Sequence, residues 1–227
     1  MIETDNIKDM LEYLTKFYPK ILFIAEGTLV TLKYSVIAVI LGLMIGTLLA
    51  IWKVSKNRAL RIFANFYTSI FRGTPLLIQL SIIYFASPYI IGIKFSVFAA
   101  GVISFSLNSG AYVSEVIRAG INAVDKGQFE AAEALAIPKF LIMKDIILPQ
   151  AIKNIFPSLT NELINLVKES AIISMFGEMD LMLRAKIVSQ ETYNYFFPMI
   201  VAACCYYILV MLISFIAKII EKKYIVS

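Results

Sequence analysis

Few residues in this chain could do chemistry, and those few stand in apolar surroundings. Glu162 lies inside a largely apolar stretch, where a carboxylate marks either a polar path or an ion pair with a basic side chain. Asn108 and Tyr112 are four residues apart, which puts their polar groups on one helix face. They could line one cavity or hydrogen-bond across packed helices. Arg72-Gly73-Thr74-Pro75 interrupts another apolar run. Thr74 is a fair cap there and Pro75 suits a first helical turn. A half-helix starting at that point would aim N–H groups and a positive dipole end inward, and a packing kink is the plainer alternative. Glu115 and Arg118, three apart, read as a salt bridge at a helix end, and Lys168 and Glu169 as the outer end of another helix, where they either gate a path, touch a partner or are simply solvated. The chain has no histidine, so histidine-based metal or acid–base chemistry is excluded. No nucleophile–base set and no Gly-x-x-x-x-Gly-Lys-Ser/Thr phosphate loop is present.

The elements that must position these residues are membrane helices. Of 227 residues 59% are hydrophobic and 16% charged, well below the charge content of a soluble domain. Residues 35–52, 73–93, 95–114 and 192–217 carry no charge, and about 20 apolar residues cross a bilayer. The reading is an all-α polytopic protein, one domain over 1–227, with five transmembrane helices. They cover about 28–52, 63–91, 95–117, 151–176 and 192–217. The fourth is interrupted by Lys153, Glu162, Lys168 and Glu169. A short turn is expected around Gly92, and residues 177–195 read as an amphipathic connection. Gly42 and Gly46 form a small-xxx-small pair suited to close packing. Ile7, Met10, Leu11 and Leu14 recur at helical spacing and suggest either a short interfacial helix or a solvated arm. Cys204 and Cys205 are neighbours about 100° apart on a helix and read as core residues rather than a disulfide.

The net charge of +5 fits loop retention rather than nucleic acid. Lysines and arginines are more numerous on the side holding the first loop (including Lys53), residues 118–153 and the C-terminus. That side is therefore cytoplasmic and the N-terminus lies outside. On it sits GQFEAAEALAIP, residues 127–138. Gln128 to Ala136 have good helix propensity, Phe129, Ala132, Ala136 and Phe140 fall at steps of three and four, and Pro138 ends the helix. Residues 139–148 can form a second amphipathic helix, with Pro149 restarting the chain toward the membrane. The pair is either a docking surface or a plain connector.

Residues 127–151, GQFEAAEALAIPKFLIMKDIILPQA, resemble the EAA signature of bacterial ABC importer permeases. Glu130, Ala131, Ala132, Leu148 and Pro149 match it, and Ala136 stands where the family has glycine. RGTPLLIQL (72–80), LNSGAYVSEVIRAGI (107–121) and residues 148–174 resemble the second-, third- and fourth-span motifs of the polar amino acid subfamily. The resemblance implies a type I importer permease fold in the bacterial inner membrane, surrounded by lipid. It implies a second permease subunit, two cytoplasmic ATPase subunits and an extracytoplasmic amino-acid-binding protein. No cofactor would be bound by this chain; ATP-Mg would sit on the ATPases. Gly127, Glu130, Ala131, Ala132, Ala136, Pro138, Leu148 and Pro149 would couple to them. Glu162, Asn108, Tyr112, Arg72 and Thr74 become candidates for substrate, with Glu162 receiving an ammonium group. A membrane scaffold or sensor that docks an ATPase without moving substrate is the other reading.

Overall fold

The structure is a computed structural model. It describes the backbone of residues 2–224 and the side chains of residues 15 and 17–223. Helix α1 runs unbroken over Ile2–Lys53. The side chains of the expected interfacial helix, from Ile7 to Leu14, lie outside the described residues. The backbone of that segment is continuous with the first span in one helix. The apolar part, Phe17–Lys53, would measure about 55 Å at 1.5 Å per residue, well beyond a hydrocarbon core of about 30 Å.

The stretch read as one second span is broken. Asn57 caps α2 (Arg58–Gly73) by accepting from Ala59 N. The chain then turns at Thr74 and Pro75 into α3 (Leu76–Ser81), a π-helical turn over Ile82–Ala86, and α4 (Ser87–Ile90). The two halves meet at 103°. Pro75 has no N–H and forces Thr74 out of the helical region, to φ −123°, ψ 144°. Thr74 does not cap the second half. Its hydroxyl donates back to Ile70 O at 2.8 Å. Gly92, at φ 71°, makes the expected turn.

Ser96 caps α5 (Val97–Asn122), the rod around which the rest is arranged. Helix–helix contact in lipid gains little from burying apolar surface and depends on close packing and polar contacts. Glycines supply that closeness. A Cβ on Gly42 would meet Ser109 Oγ at 2.6 Å, one on Gly46 would meet Val113 Cγ1 at 2.6 Å, and one on Gly110 would meet Ile45 Cγ2 at 2.6 Å. The Gly42/Gly46 pair thus seats α1 directly on α5.

After α5, α6 (Lys126–Ala134) is capped by Asp125 and followed by α7 (Lys139–Leu141). A π-helical turn over Ile142–Ile147 leads into α8 (Leu148–Glu169) without a break. Pro149 therefore does not restart the chain; it lies in the first turn of α8, where its missing N–H is tolerated after the widened turn. A 3-10 turn over Ser170–Phe176 and left-handed Gly177 lead to α9 (Leu181–Thr192), capped by Asp180. The chain closes with α10 (Phe196–Tyr224). On α10 Cys205 is half-buried beside the α9 core but Cys204 faces outward, so only one of the two is a core residue.

Three apolar clusters result. Tyr34, Phe105, Leu166 and Ile173 join α1, α5 and the end of α8. Val124, Ala132, Ile142, Ile147, Ala151 and Ile155 join the end of α5, α6 and the start of α8. Ile24, Leu181, Val188 and Ala202 join α1, α9 and α10. Among the described residues three helices are long and apolar enough to cross a bilayer, Phe17–Lys53, Val97–Asn122 and Phe196–Lys223, or four if the bent pair is one span. Helix α8, with Lys153 and Glu162 joined by Gln150, Asn154, Asn161 and Asn165, is not in that group.

Candidate functional site

The break after α2 is held open by amides. Gln79, buried on α3, places Nε2 2.9 Å from Phe71 O, 3.0 Å from Thr74 O and 2.9 Å from Thr74 Oγ1. Asn108 on α5 donates to the same Phe71 O at 3.0 Å and to Gln79 Oε1 at 3.1 Å. A helix end leaves carbonyls without intrahelical partners, and these two side chains supply them. Tyr67 adds a bond from its hydroxyl to Leu107 O at 2.8 Å, so α2 is fastened to α5 one turn earlier as well.

This clamp frames a cavity of about 400 Å³ lined by Arg72, Gly73, Thr74, Pro75, Leu76, Asn108, Tyr112 and Glu169. The Arg72 guanidinium lies over the Tyr112 ring, 5.4 Å from its centre, a spacing at which cation and π-face attract. Four of the five residues singled out for substrate therefore meet at one place: Arg72, Thr74, Asn108 and Tyr112. Two of them have a second occupation. The Asn108 amide N–H groups are used in the clamp, and Thr74 Oγ1 bonds both Ile70 O and Gln79.

Glu162 does not line the cavity. It sits half-buried on α8 beside the Ser109 side chain, close enough to Glu169 for the two charges to interact. Glu169, two turns further along α8, is the carboxylate that lines the cavity with Arg72. The sequence put Glu169 at an outer helix end, as a gate to the path, a partner contact or a solvated charge; it is the last residue of α8 and borders the cavity because α2 ends close by. Gln79 was missed, although an amide within an otherwise apolar half-helix is a signal that could have found it.

The lever formed by α6 and α7 differs from its expected form. The helix stops at Ala134 rather than running to Ala136, and Ala136 stands in the left-handed region at φ 55°. Ile137 N bonds Ala132 O at 3.1 Å and Ala136 N bonds Glu133 O at 2.9 Å, the paired bonds that close a helix C-terminus. The family's glycine position is thus a true left-handed turn, and it ends the helix before Pro138 does. Pro138 instead precedes α7, with Leu141 and Ile142 bonding its carbonyl. With the helix ended, Phe129, Ala132, Ala136 and Phe140 do not form one face. Ala132 is 3% exposed and packs inward with Phe129 against Ile142, Ile147 and Ile155. The outward side presents Glu130, Ala131, Leu135 and Phe140. Gly127 N bonds Asp125 Oδ1 at 2.7 Å at the start of the lever, Lys139 bridges Glu133 at 3.1 Å across the turn, and Leu148 is exposed ahead of Pro149.

A family model described as the binding-protein-dependent transport system inner membrane component matches residues 38–226. The chain belongs to that family. The resemblance read from residues 72–80, 107–121, 127–151 and 148–174 is borne out. A putative glutamine transport system permease protein of Rickettsia bellii is 89% identical over 96% of this chain and 100% of its own length. An arginine transport system permease protein of Bacillus subtilis is 52% identical over 90% of this chain and 94% of its own. A crystal structure of an amino acid ABC transporter with histidines superposes with a TM-score of 0.85 at 40% identity, covering 93% of this chain and 97% of that one. The inward-facing MetNI methionine ABC transporter superposes at 0.68 with 22% identity over 86% and 92%, which speaks to fold alone. The permease fold anticipated from the motifs is therefore the fold observed.

Proposed function

We propose that this chain is the membrane-spanning half of an ATP-driven importer for polar amino acids, passing substrate through the Arg72–Glu169 cavity by alternating access. The observation that carries this reading is the pairing of unlike charges across one small cavity. A guanidinium on one wall and a carboxylate on another match the two ends of an amino-acid zwitterion. Arg72 takes the α-carboxylate, and Glu169 takes the ammonium group. Glu162, one stretch of α8 away, is assigned to the path below the cavity rather than to the first contact. Tyr112 and Thr74 add hydroxyls, and Asn108 shapes the wall. The glutamine and arginine systems among the relatives support a polar side chain on the substrate.

The fold has five crossings in this reading, α8 being the fourth, with its charges facing protein and path instead of lipid. The N-terminus is outside, the C-terminus and lever inside, as the excess of basic residues supports. Two ATPase subunits seat the Glu130–Leu135 side of α6 and supply ATP-Mg; an external binding protein delivers substrate; a second permease subunit completes the path.

The test is uptake by proteoliposomes holding the chain with its ATPase and binding protein, assayed with labelled glutamine, arginine and histidine. ATP-dependent uptake of at least one is expected. Arg72→Gln and Glu169→Gln should each raise the KM for uptake roughly tenfold, the equivalent of one lost charge-assisted hydrogen bond. Native KM in both variants would remove the cavity from the path. A complex that assembles and hydrolyses ATP yet moves none of the three would favour the scaffold reading.

A further inference from the structure

Lys53 is the last residue of α1, and its place in the chain predicts a solvated lysine at a membrane border. The structure turns it inward. Its side chain is 3% exposed, with Nζ 2.6 Å from Glu115 Oε1 and 2.8 Å from Ser114 Oγ on α5. Glu115 Oε2 in turn accepts from Arg118 Nη2 at 2.7 Å and Nε at 2.9 Å. Ser114 donates to Ala111 O at 2.8 Å, leaving its lone pairs for the lysine. A long flexible ammonium within reach of water is buried here only because a carboxylate and a hydroxyl receive it.

The location gives this contact its consequence. On one side lies the glycine seam of α1 and α5, ending at Gly46 against Val113. On the other, Val116, Ile117 and Ile121 of α5 pack onto the cytoplasmic cluster that contains Ala132 of the lever and Ile155 of α8. Beyond Lys53 only residues 54–57 separate α1 from α2, and α2 carries Arg72 to the cavity. Bonds from Tyr67 and to Phe71 O then return α2 to α5. A closed loop of contacts results, with Lys53–Glu115 at its cytoplasmic corner and the cavity rim at the other.

We propose that Lys53 is a positioning residue for transport: through Glu115 it makes the ends of α1 and α2 follow α5 when the lever moves. This rests on the importer reading above. Neither residue touches the cavity. Their role is to convert displacement of the lever into displacement of Arg72 relative to Glu169, so that the two walls change spacing once per ATPase cycle.

The experiment compares native chain with Lys53→Met, Lys53→Arg and Lys53→Met/Glu115→Met in the reconstituted complex, scoring substrate moved per ATP hydrolysed. Lys53→Met keeps the stem volume and leaves Glu115 paired with Arg118. Its uptake per ATP should fall roughly tenfold, the scale of a coupling energy between distant sites, while ATP hydrolysis without substrate persists. Lys53→Arg restores most of the ratio because it retains a cation. If Lys53→Met does not assemble, the double variant, which buries no unpaired charge, is read in its place and carries the same expected loss. A native uptake-per-ATP ratio in Lys53→Met, or in the double variant, overturns the proposal. So does a fall in hydrolysis and uptake by the same factor, which is what mere loss of folded protein gives. Absence of uptake by the native complex would instead count against the importer reading, so the two failures are told apart.

Discussion

Ala136 offers the sharpest quantitative test. An L-residue in the left-handed region is strained by about 1–2 kcal/mol relative to the right-handed one. At φ 55° Ala136 carries that strain, and both bonds that terminate α6, from Ala136 N and Ile137 N, depend on it. Glycine removes the strain but loses more backbone entropy on folding, about 0.5–1 kcal/mol. The difference predicts that Ala136→Gly stabilises the lever by about 0.5–1 kcal/mol. Hydrogen exchange of the Ala136 and Ile137 amides should slow by about two- to fivefold if opening of this turn limits it. The whole complex should melt later by at most a few degrees, about 1–4 °C. Ala131→Gly, in the helical body of α6, is the control and should lose about 1 kcal/mol. Equal or faster exchange in Ala136→Gly, or the same sign of change in both variants, would refute the left-handed turn and the reasoning built on it.

Three further outcomes are expected. Gln79→Leu takes from the buried Asn108 amide its Oε1 acceptor and from the half-buried Thr74 O its donor; a loss of about 2 kcal/mol on thermal unfolding and less substrate moved per ATP should follow, since the cavity rim relaxes. Gly46→Ala places a Cβ 2.6 Å from Val113 Cγ1 and 3.0 Å from Gly110 O, so α1 and α5 must part, with an expected loss of about 1–3 kcal/mol; Gly73→Ala, which meets nothing within 4 Å, should be near neutral. Burial pushes the Asp180 carboxyl, at the start of α9, up from 3.8 to about 6, so the folded state holds its proton longer than the unfolded chain. Stability is then fullest below about pH 4 and declines as pH rises to about 6, and Asp180→Asn should flatten that decline in a melting series from pH 4 to 7.

What could be read beforehand follows the physics of each signal. Uncharged runs set the long helices, because crossing a bilayer demands length and apolarity and little else. The break at residues 72–75 was legible because proline removes a donor and restricts its predecessor, but the 103° bend was not, since it depends on where Gln79 and Asn108 meet Phe71 O. Ala136 read as helix because alanine prefers helix; a tertiary demand overrode the preference. Lys53 read as a loop charge because one chain position cannot say whether a flexible stem turns outward or inward. Arg72, Thr74, Asn108 and Tyr112 were found by polarity in apolar runs, and they do meet. Glu162 was singled out by depth along the helix, and depth does not tell which carboxylate borders a cavity where a neighbouring helix stops short.

The same contacts suggest a rule for sorting polar residues in such a chain. In a low-dielectric interior a polar group is retained when it is satisfied, and the partner decides its use. Gln79, Asn108, Lys53, Ser114 and Glu115 are satisfied by backbone or by one another, across different helices, and so each fixes a distance between elements. Arg72, Tyr112 and Glu169 are arranged around an open volume, with the Tyr112 ring face against the cation. The first set is spent on geometry, the second is available to a ligand. Substitutions in the first set should therefore alter how well lever motion reaches the cavity, and substitutions in the second how tightly substrate is held. A variant of Gln79 or Lys53 that changed substrate preference while leaving coupling untouched would break that division.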